Sequence, residues 1–277
     1  MLKRFLVSLL AIAAAGSVYG FMSATVITVK GSDTMVILAQ RWAELYQGKH
    51  ADVSIRVTGG GSGTGISALI NGTTDICNSS RPMTAGEKNQ LKQRFGSPGV
   101  EVRAALDGIT VYVHPSNTVK ALTMSQLKDI YTGRITNWSN LGGKNARIIL
   151  YGRENSSGTY AFFKEHVLKN QDFASSTATL PGTAAIVNAV LKDPNGIGYG
   201  GYGYSRGVHI VGVKATDASS PVTPSEQTVR SGSYPISRYL YLYLRNRPTG
   251  ELKEYVDWIL SAEGQAVVKK VGYFPLR

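Results

Sequence analysis

The 277 residues carry 30 lysines and arginines against 18 aspartates and glutamates, a formal charge of +12. Such an excess suits nucleic acid, an acidic membrane surface or a small anion, but the basic residues fall in ones and twos and no nucleic-acid-binding motif accompanies them, which argues against DNA or RNA. A single cysteine, Cys77, excludes an internal disulfide, so a chain long enough for one large or two medium domains must be held together by its core.

In chain order, Lys3 and Arg4 precede an apolar run over residues 5–15 and then small residues (Gly16, Ser17, Gly20, Ser23, Ala24), the layout of a cleaved secretory signal peptide. The run of about 11 residues is well short of the roughly 20 that span a bilayer. Cleavage is expected near Ala24, after Met22-Ser23-Ala24, with Gly20 as the alternative, so residues 1–24 are set apart from the fold. No cysteine follows the run until Cys77, which excludes a lipid anchor on a mature N-terminal cysteine and favours a free periplasmic protein.

Residues 25–29 alternate and are β-branched, predicting a strand that runs into Gly31-Ser32-Asp33-Thr34. Met35, Leu38, Trp42 and Leu45 then recur at helical spacing, and Ser32, Asp33 or Thr34 is the cap. The unit repeats as a strand over 53–57, a glycine-rich turn over 59–65 and a helix from Ile66. A third short strand, 74–77, ends in Asn78-Ser79-Ser80-Arg81-Pro82, with Cys77 as core. Further strands are predicted over 108–114, 147–151 and 235–244, and helices over 125–131, from Tyr160, over 183–191, 251–261 and 263–271. Gly196-x-Gly198-x-x-Gly201 satisfies a dinucleotide pattern, but it follows a helix break and opens no helix, so it reads as flexible backbone. Strand, polar turn and helix in repetition predict an α/β fold with largely parallel sheets, in which ligands sit at the carboxyl ends of the strands.

That rule selects the turns at 32–34, 59–65 and 153–159. Taken singly each is an ordinary capped helix start, but Arg153 stands just before Ser157-Gly158-Thr159, whose amides are expected to be free donors at a helix N-terminus. An arginine beside such amides suits an oxyanion and offers it a bidentate hold. An enzyme reading lacks its parts. Ser62 is not in a G-x-S-x-G elbow, no glycine turn leads into Lys-Ser or Lys-Thr, and His50, His114, His166 and His209 stand alone with no metal-ligand spacing.

The stretches Gly31-Ser32-Asp33-Thr34, Gly60-Gly61-Ser62-Gly63-Thr64-Gly65, Gly133-x-Ile135-Thr136-Asn137-Trp138, Arg153-x-x-x-Ser157-Gly158-Thr159, Tyr234-Pro235-Ile236-Ser237-Arg238 and Gly272-Tyr273-x-Pro275-Leu276, in this order over nearly the whole mature chain, resemble the periplasmic phosphate-binding protein of the high-affinity phosphate ABC transporter. The resemblance implies a type II periplasmic binding protein of two α/β domains joined by two crossover segments, with 25–108 plus 238–277 as the first domain and 109–237 as the second. It implies a non-enzymatic monomer, without cofactor or metal, that closes on inorganic phosphate and delivers it to a membrane permease.

Carried over position by position, the anion site falls on Ser32, Asp33 and Thr34, on Ser62 and Gly63, and on Arg153, Ser157, Gly158 and Thr159. Where many members place an aspartate that accepts the proton of hydrogen phosphate, this chain has Ser80, followed by Arg81. Asp33 is the expected substitute acceptor, and Glu154 or Asn155 the expected support of Arg153. Arg153→Ala is expected to lose affinity without unfolding, since the residue's partner would be the ligand. Another tetrahedral oxyanion such as sulfate, or a phosphatase-like hydrolase using Ser62 or Ser157, are the alternatives.

Overall fold

A computed structural model describes residues 24–276, so the leader expected over the first 24 residues lies almost wholly outside the described part. The chain runs β1 (Thr25–Gly31), α1 (Val36–Gln47), β2 (Val53–Thr58), α2 (Ser62–Asn71), β3 (Ile76–Ser79), α3 (Ala85–Phe95), β4 (Val100–Val113), β5 (Ala121–Thr123) and α4 (Met124–Tyr131). It continues through β6 (Ile149–Arg153), α5 (Gly158–His166), β7 (Ala178–Leu180), α6 (Gly182–Lys192), β8 (Gly196–Gly201), β9 (His209–Lys214), α7 (Glu226–Arg230), β10 (Ser237–Leu244), α8 (Gly250–Leu260) and α9 (Ala262–Val271). No described helix is long and apolar enough to cross a membrane.

The strands form one sheet in the order β2-β1-β3-β10-β4-β8-β6-β7, with β9 bridging β4 and β5. Pairs within the strand-turn-helix repeats are parallel (β1 with β2 and β3, β6 with β7 and β8), as expected where each return passes through a helix. The antiparallel pairs all involve β4 or β10. β4 pairs with β10 over its first nine positions and with β8 and β9 over its last five, so one strand runs through both ends of the sheet. Two main hydrophobic cores follow this division. One gathers Ile27, Trp42, Ile76, Ala105, Leu242, Ile259 and Tyr273. The other gathers Leu106, Val111, Trp138, Phe163, Tyr199 and Ile236. Each contains a buried tryptophan whose indole N–H needs an acceptor. Trp42 donates to the Gly264 carbonyl at 2.8 Å and Trp138 to the Asn195 carbonyl at 2.9 Å.

Several sequence expectations are corrected. α2 starts at Ser62, four residues before the expected Ile66, because residues 62–65 are helical and not a turn. Gly65 serves close packing there: a Cβ on it would lie 2.5 Å from the Lys30 carbonyl oxygen. The segment 196–201, read as flexible backbone, is a fully buried strand. Its glycines leave room for α6, since Cβ atoms on Gly198 and Gly200 would come within 2.5 Å of the Ile186 and Thr183 side chains. The helix after β1 begins in a short 3-10 turn, Asp33–Met35; Ser32, one of the three expected caps, makes no side-chain cap there, and the residue at the N-cap of α1 is Met35 instead of Ser32, Asp33 or Thr34.

Candidate functional site

Four strands (β1, β2, β3 and β6) end on one patch, and the polar residues that follow them meet there. Ser32, after β1, donates from Oγ to Ser80 Oγ at 2.9 Å. Ser80, just past β3, stands 3.3 Å from Ser62 Oγ and also donates its backbone N–H to that oxygen at 3.0 Å. These three hydroxyls are buried. Opposite them stands the start of α5. A Cβ on Gly158 would lie 2.3 Å from Ser62 Oγ and 2.7 Å from Ser80 Oγ, so only glycine allows this approach. Thr34 and Thr159 bring their hydroxyl oxygens to 2.9 Å, and the Gly63 N–H donates to the Ser156 carbonyl at 2.8 Å.

The N-termini of α2 and α5 therefore face one another. The first amide of a helix has no intrahelical acceptor, and among the described residues neither Ser62 N–H nor Gly158 N–H has any other partner. Two helix ends with free N–H groups form a field that favours negative charge. The other two amides expected at the start of α5 are engaged. Ser157 N–H donates to the Glu154 carbonyl at 2.9 Å, and Ser157 Oγ caps α5 by accepting from Thr159 N–H and Tyr160 N–H at 3.2 and 3.3 Å.

Arg153 is held by its own neighbours in the protein. Its guanidinium donates to Asp33 Oδ2 at 2.7 Å, to both Glu154 oxygens at 3.1 and 3.2 Å, and to Thr183 Oγ1 at 3.0 Å. Four of its five N–H groups are thus taken, leaving one on Nη1 and no bidentate fork for a ligand. In this arrangement its partners are two carboxylates and the Thr183 hydroxyl. Glu154, one of the two residues expected to support Arg153, does so. Burial raises the Glu154 carboxyl, but the hydrogen bond and charge of Arg153 outweigh it and hold the group below its ordinary value.

Asp33 was expected as a free acceptor, yet both its oxygens are engaged, Oδ2 by Arg153 and Oδ1 by Gly60 N–H at 2.8 Å. Tyr204 O–H donates to the Asp33 carbonyl at 2.7 Å, and burial pushes that phenol up to about 12, so it stays a donor. Of the residues singled out in the sequence, Ser32, Asp33, Thr34, Ser62, Gly63, Ser80, Arg153, Ser157, Gly158 and Thr159 come together here. Arg81 is placed otherwise: its guanidinium is bound to both Glu87 oxygens at 2.6 and 2.8 Å and to the Pro82 carbonyl at 2.9 Å. The bond to Glu87 is the tighter association, because it closes a bidentate pair at the capped start of α3.

Sequence reasoning missed a second buried ion pair beside the patch. Arg238 binds Asp107 Oδ2 through Nε and Nη2 at 3.0 and 2.8 Å, with both side chains almost fully buried. The available signal was a lone carboxylate inside the apolar run Ala104-Ala105-Leu106-Asp107-Gly108-Ile109, since such a group is seldom buried without a partner.

A family model described as a PBP superfamily domain matches residues 22–263. Among curated relatives, the phosphate-binding protein PstS of Pseudomonas aeruginosa (strain PAO1) is 36% identical over 263 residues, covering 89% of this chain and 81% of its own. The phosphate-binding protein PstS of Bacillus subtilis (strain 168) is 33% identical over 252 residues, covering 90% of this chain and 80% of its own. Among solved structures, a Clostridium perfringens protein assigned as a phosphate ABC transporter substrate-binding protein, with bound phosphate, superposes with a TM-score of 0.82 at 33% identity, over 91% of this chain and 100% of that one. An ABC-type phosphate transport receptor from Vibrio cholerae gives 0.71 at 26% identity, over 90% of this chain and 99% of that one. With matches of this length and identity, the chain belongs to the PBP superfamily and, within it, to the family of PstS phosphate-binding proteins.

Proposed function

We propose that this protein binds inorganic phosphate between two lobes, residues 25–108 with 238–277 and residues 109–237, and delivers it to a membrane ABC permease. The observation that carries this reading is the meeting of the α2 and α5 N-termini, with the Ser62 and Gly158 amides free and the Ser32, Ser62, Ser80, Thr34 and Thr159 hydroxyls around them. Neutral donors oriented by two helices stabilise an oxyanion without a large reorganisation, and burial strengthens each bond. Relatives named for phosphate binding, and a structural neighbour holding phosphate, supply the choice of anion.

In the same reading the protein is a monomer, is exported by the leader at residues 1–24 without a lipid anchor, and catalyses nothing. Support for the last point comes from the serines. Ser157 Oγ is a helix cap, and Ser62 Oγ hydrogen-bonds only to Ser80 among the described residues, so neither meets a base.

Calorimetric titration of phosphate and of sulfate into phosphate-free protein tests the proposal. One phosphate per chain is expected, with a Kd of about 1 μM or tighter and sulfate at least tenfold weaker. Tighter sulfate binding, or turnover of a chromogenic phosphate ester, would contradict it.

A further inference from the structure

Arg238 reaches two residues of the site, Ser80 and Thr159. It lies on β10 directly opposite Asp107 on β4, at the point where these two strands pass between the two cores. Asp107 fixes the guanidinium through Nε and Nη2, and is itself fixed by Tyr202 N–H, which donates to Oδ1 at 3.0 Å. The remaining donors point to opposite sides of the patch. Nη1 donates to the Ser80 carbonyl at 2.9 Å, and Nη2 donates to Thr159 Oγ1 at 2.9 Å. The guanidinium also lies 5.6 Å from the centre of the Phe162 ring, one turn along α5 from Thr159.

The bond to Thr159 takes one of the two lone pairs of its hydroxyl. A guanidinium has no acceptor, so Thr159 Oγ1 must receive that bond and its single hydrogen is left for another oxygen. Thr34 Oγ1 stands 2.9 Å away, and either hydroxyl can be the donor of that bond. An anion seated between the helix ends would take the same hydrogen.

We propose that Arg238, held by Asp107, is a positioning residue that fills one acceptor site of the Thr159 hydroxyl, leaving its hydrogen for the anion, and ties the end of β3 to the start of α5, and so slows release of the bound anion. This rests on the phosphate reading. Arg238 acts through Thr159 and need not touch the ligand. The buried pair is also poorly explained as a stabilising device alone, because desolvating two such charges removes much of the attraction between them.

The test is a double-mutant cycle read by phosphate dissociation in stopped flow, using Arg238→Lys, Thr159→Val and the double variant of the full chain. Lysine keeps the charge opposite Asp107 but lacks the fork that reaches Ser80 and Thr159 together. Each single variant is expected to release phosphate at least tenfold faster with association changed less than threefold, and the double variant to be no faster than the faster single. Should Arg238→Lys not fold, the neutral pair Asp107→Asn with Arg238→Gln takes its place in the cycle. Losses that multiply in the double variant, or a wild-type release rate in Arg238→Lys, overturn the inference while leaving the phosphate reading intact. Absence of phosphate binding by the wild type overturns both.

Discussion

Asp33 and Arg153 are separated by 120 positions, yet their charged groups meet at 2.7 Å and the arginine side chain is 1% exposed. The pair joins the turn after β1 to the end of β6, and Glu154 completes it on the same guanidinium. Removing Arg153 therefore does more than remove a ligand contact. Arg153→Ala leaves two carboxylates facing one another without their cation. Loss of one partner of a buried pair costs about 3–5 kcal/mol, but Asp33 and Glu154 are partly solvated, so about 2 kcal/mol is expected here. Thermal unfolding of the ligand-free variant should drop by roughly 4–8 °C, and an unchanged melting temperature would show that the ion pair does not stabilise the fold.

Acid should weaken the same contact. Glu154 has a folded-state pKa below its ordinary value of 4.5, because Arg153 favours the charged form more than burial disfavours it. A depressed carboxyl contributes stability that is present above its unfolded pKa and is lost as pH falls through the folded one. Glu87, held by Arg81, shifts in the same direction and adds to the effect. Denaturant midpoints measured from pH 7 downward should fall below about pH 4.5. Glu154→Gln should make that acid limb shallower, and an identical limb in the variant would assign the loss to other carboxylates.

Gly158 separates folding from binding. Its position at the first turn of α5 tolerates alanine as far as the helix is concerned. The added Cβ, however, would meet Ser62 Oγ at 2.3 Å and Ser80 Oγ at 2.7 Å, both backed by buried backbone. Gly158→Ala should keep its melting temperature within a few degrees and bind phosphate at least tenfold more weakly, about 1.4 kcal/mol. Wild-type affinity in this variant would mean that the two helix ends do not close on the ligand.

Ser157 offers the complementary separation. Its hydroxyl caps α5, so Ser157→Ala should cost about 1 kcal/mol of stability. Ser157→Asp restores a capping acceptor and adds negative charge at the helix end, which stabilises the helix and repels an anion. Chemical denaturation should place the aspartate variant near wild type, while phosphate titration should place it below the alanine variant. The reverse order in affinity would remove Ser157 from the neighbourhood of the ligand.

Much of this arrangement was legible in the sequence for a physical reason: parallel strands need a polar turn at each carboxyl end, and alternation followed by helical spacing marks where those turns lie. The turns after β1, β2 and β6 and the capped start of α5 were read that way. What sequence spacing does not contain is partner choice. Nothing local to Arg153 shows that Asp33, far away in sequence, will take its Nη2. Arg238 was noticed only within a motif, since its partner Asp107 lies on another strand and the register that aligns them depends on the whole sheet. α3 was missed because only Leu91 of its residues is buried, which leaves almost no apolar stripe; its Thr84–Glu87 capping box was the signal to use. Residues 196–201 were misread because a strand made largely of glycine has no side-chain pattern, and its burial is supplied by α6.

The most direct measurement is a crystal structure of the protein grown with phosphate as the sole oxyanion. Tetrahedral density is expected with its oxygens about 2.7–3.2 Å from the Ser62 and Gly158 amide nitrogens, between the two facing helix ends. Density elsewhere, for example beside the exposed Arg103, with none between α2 and α5, would contradict the assignment of the site.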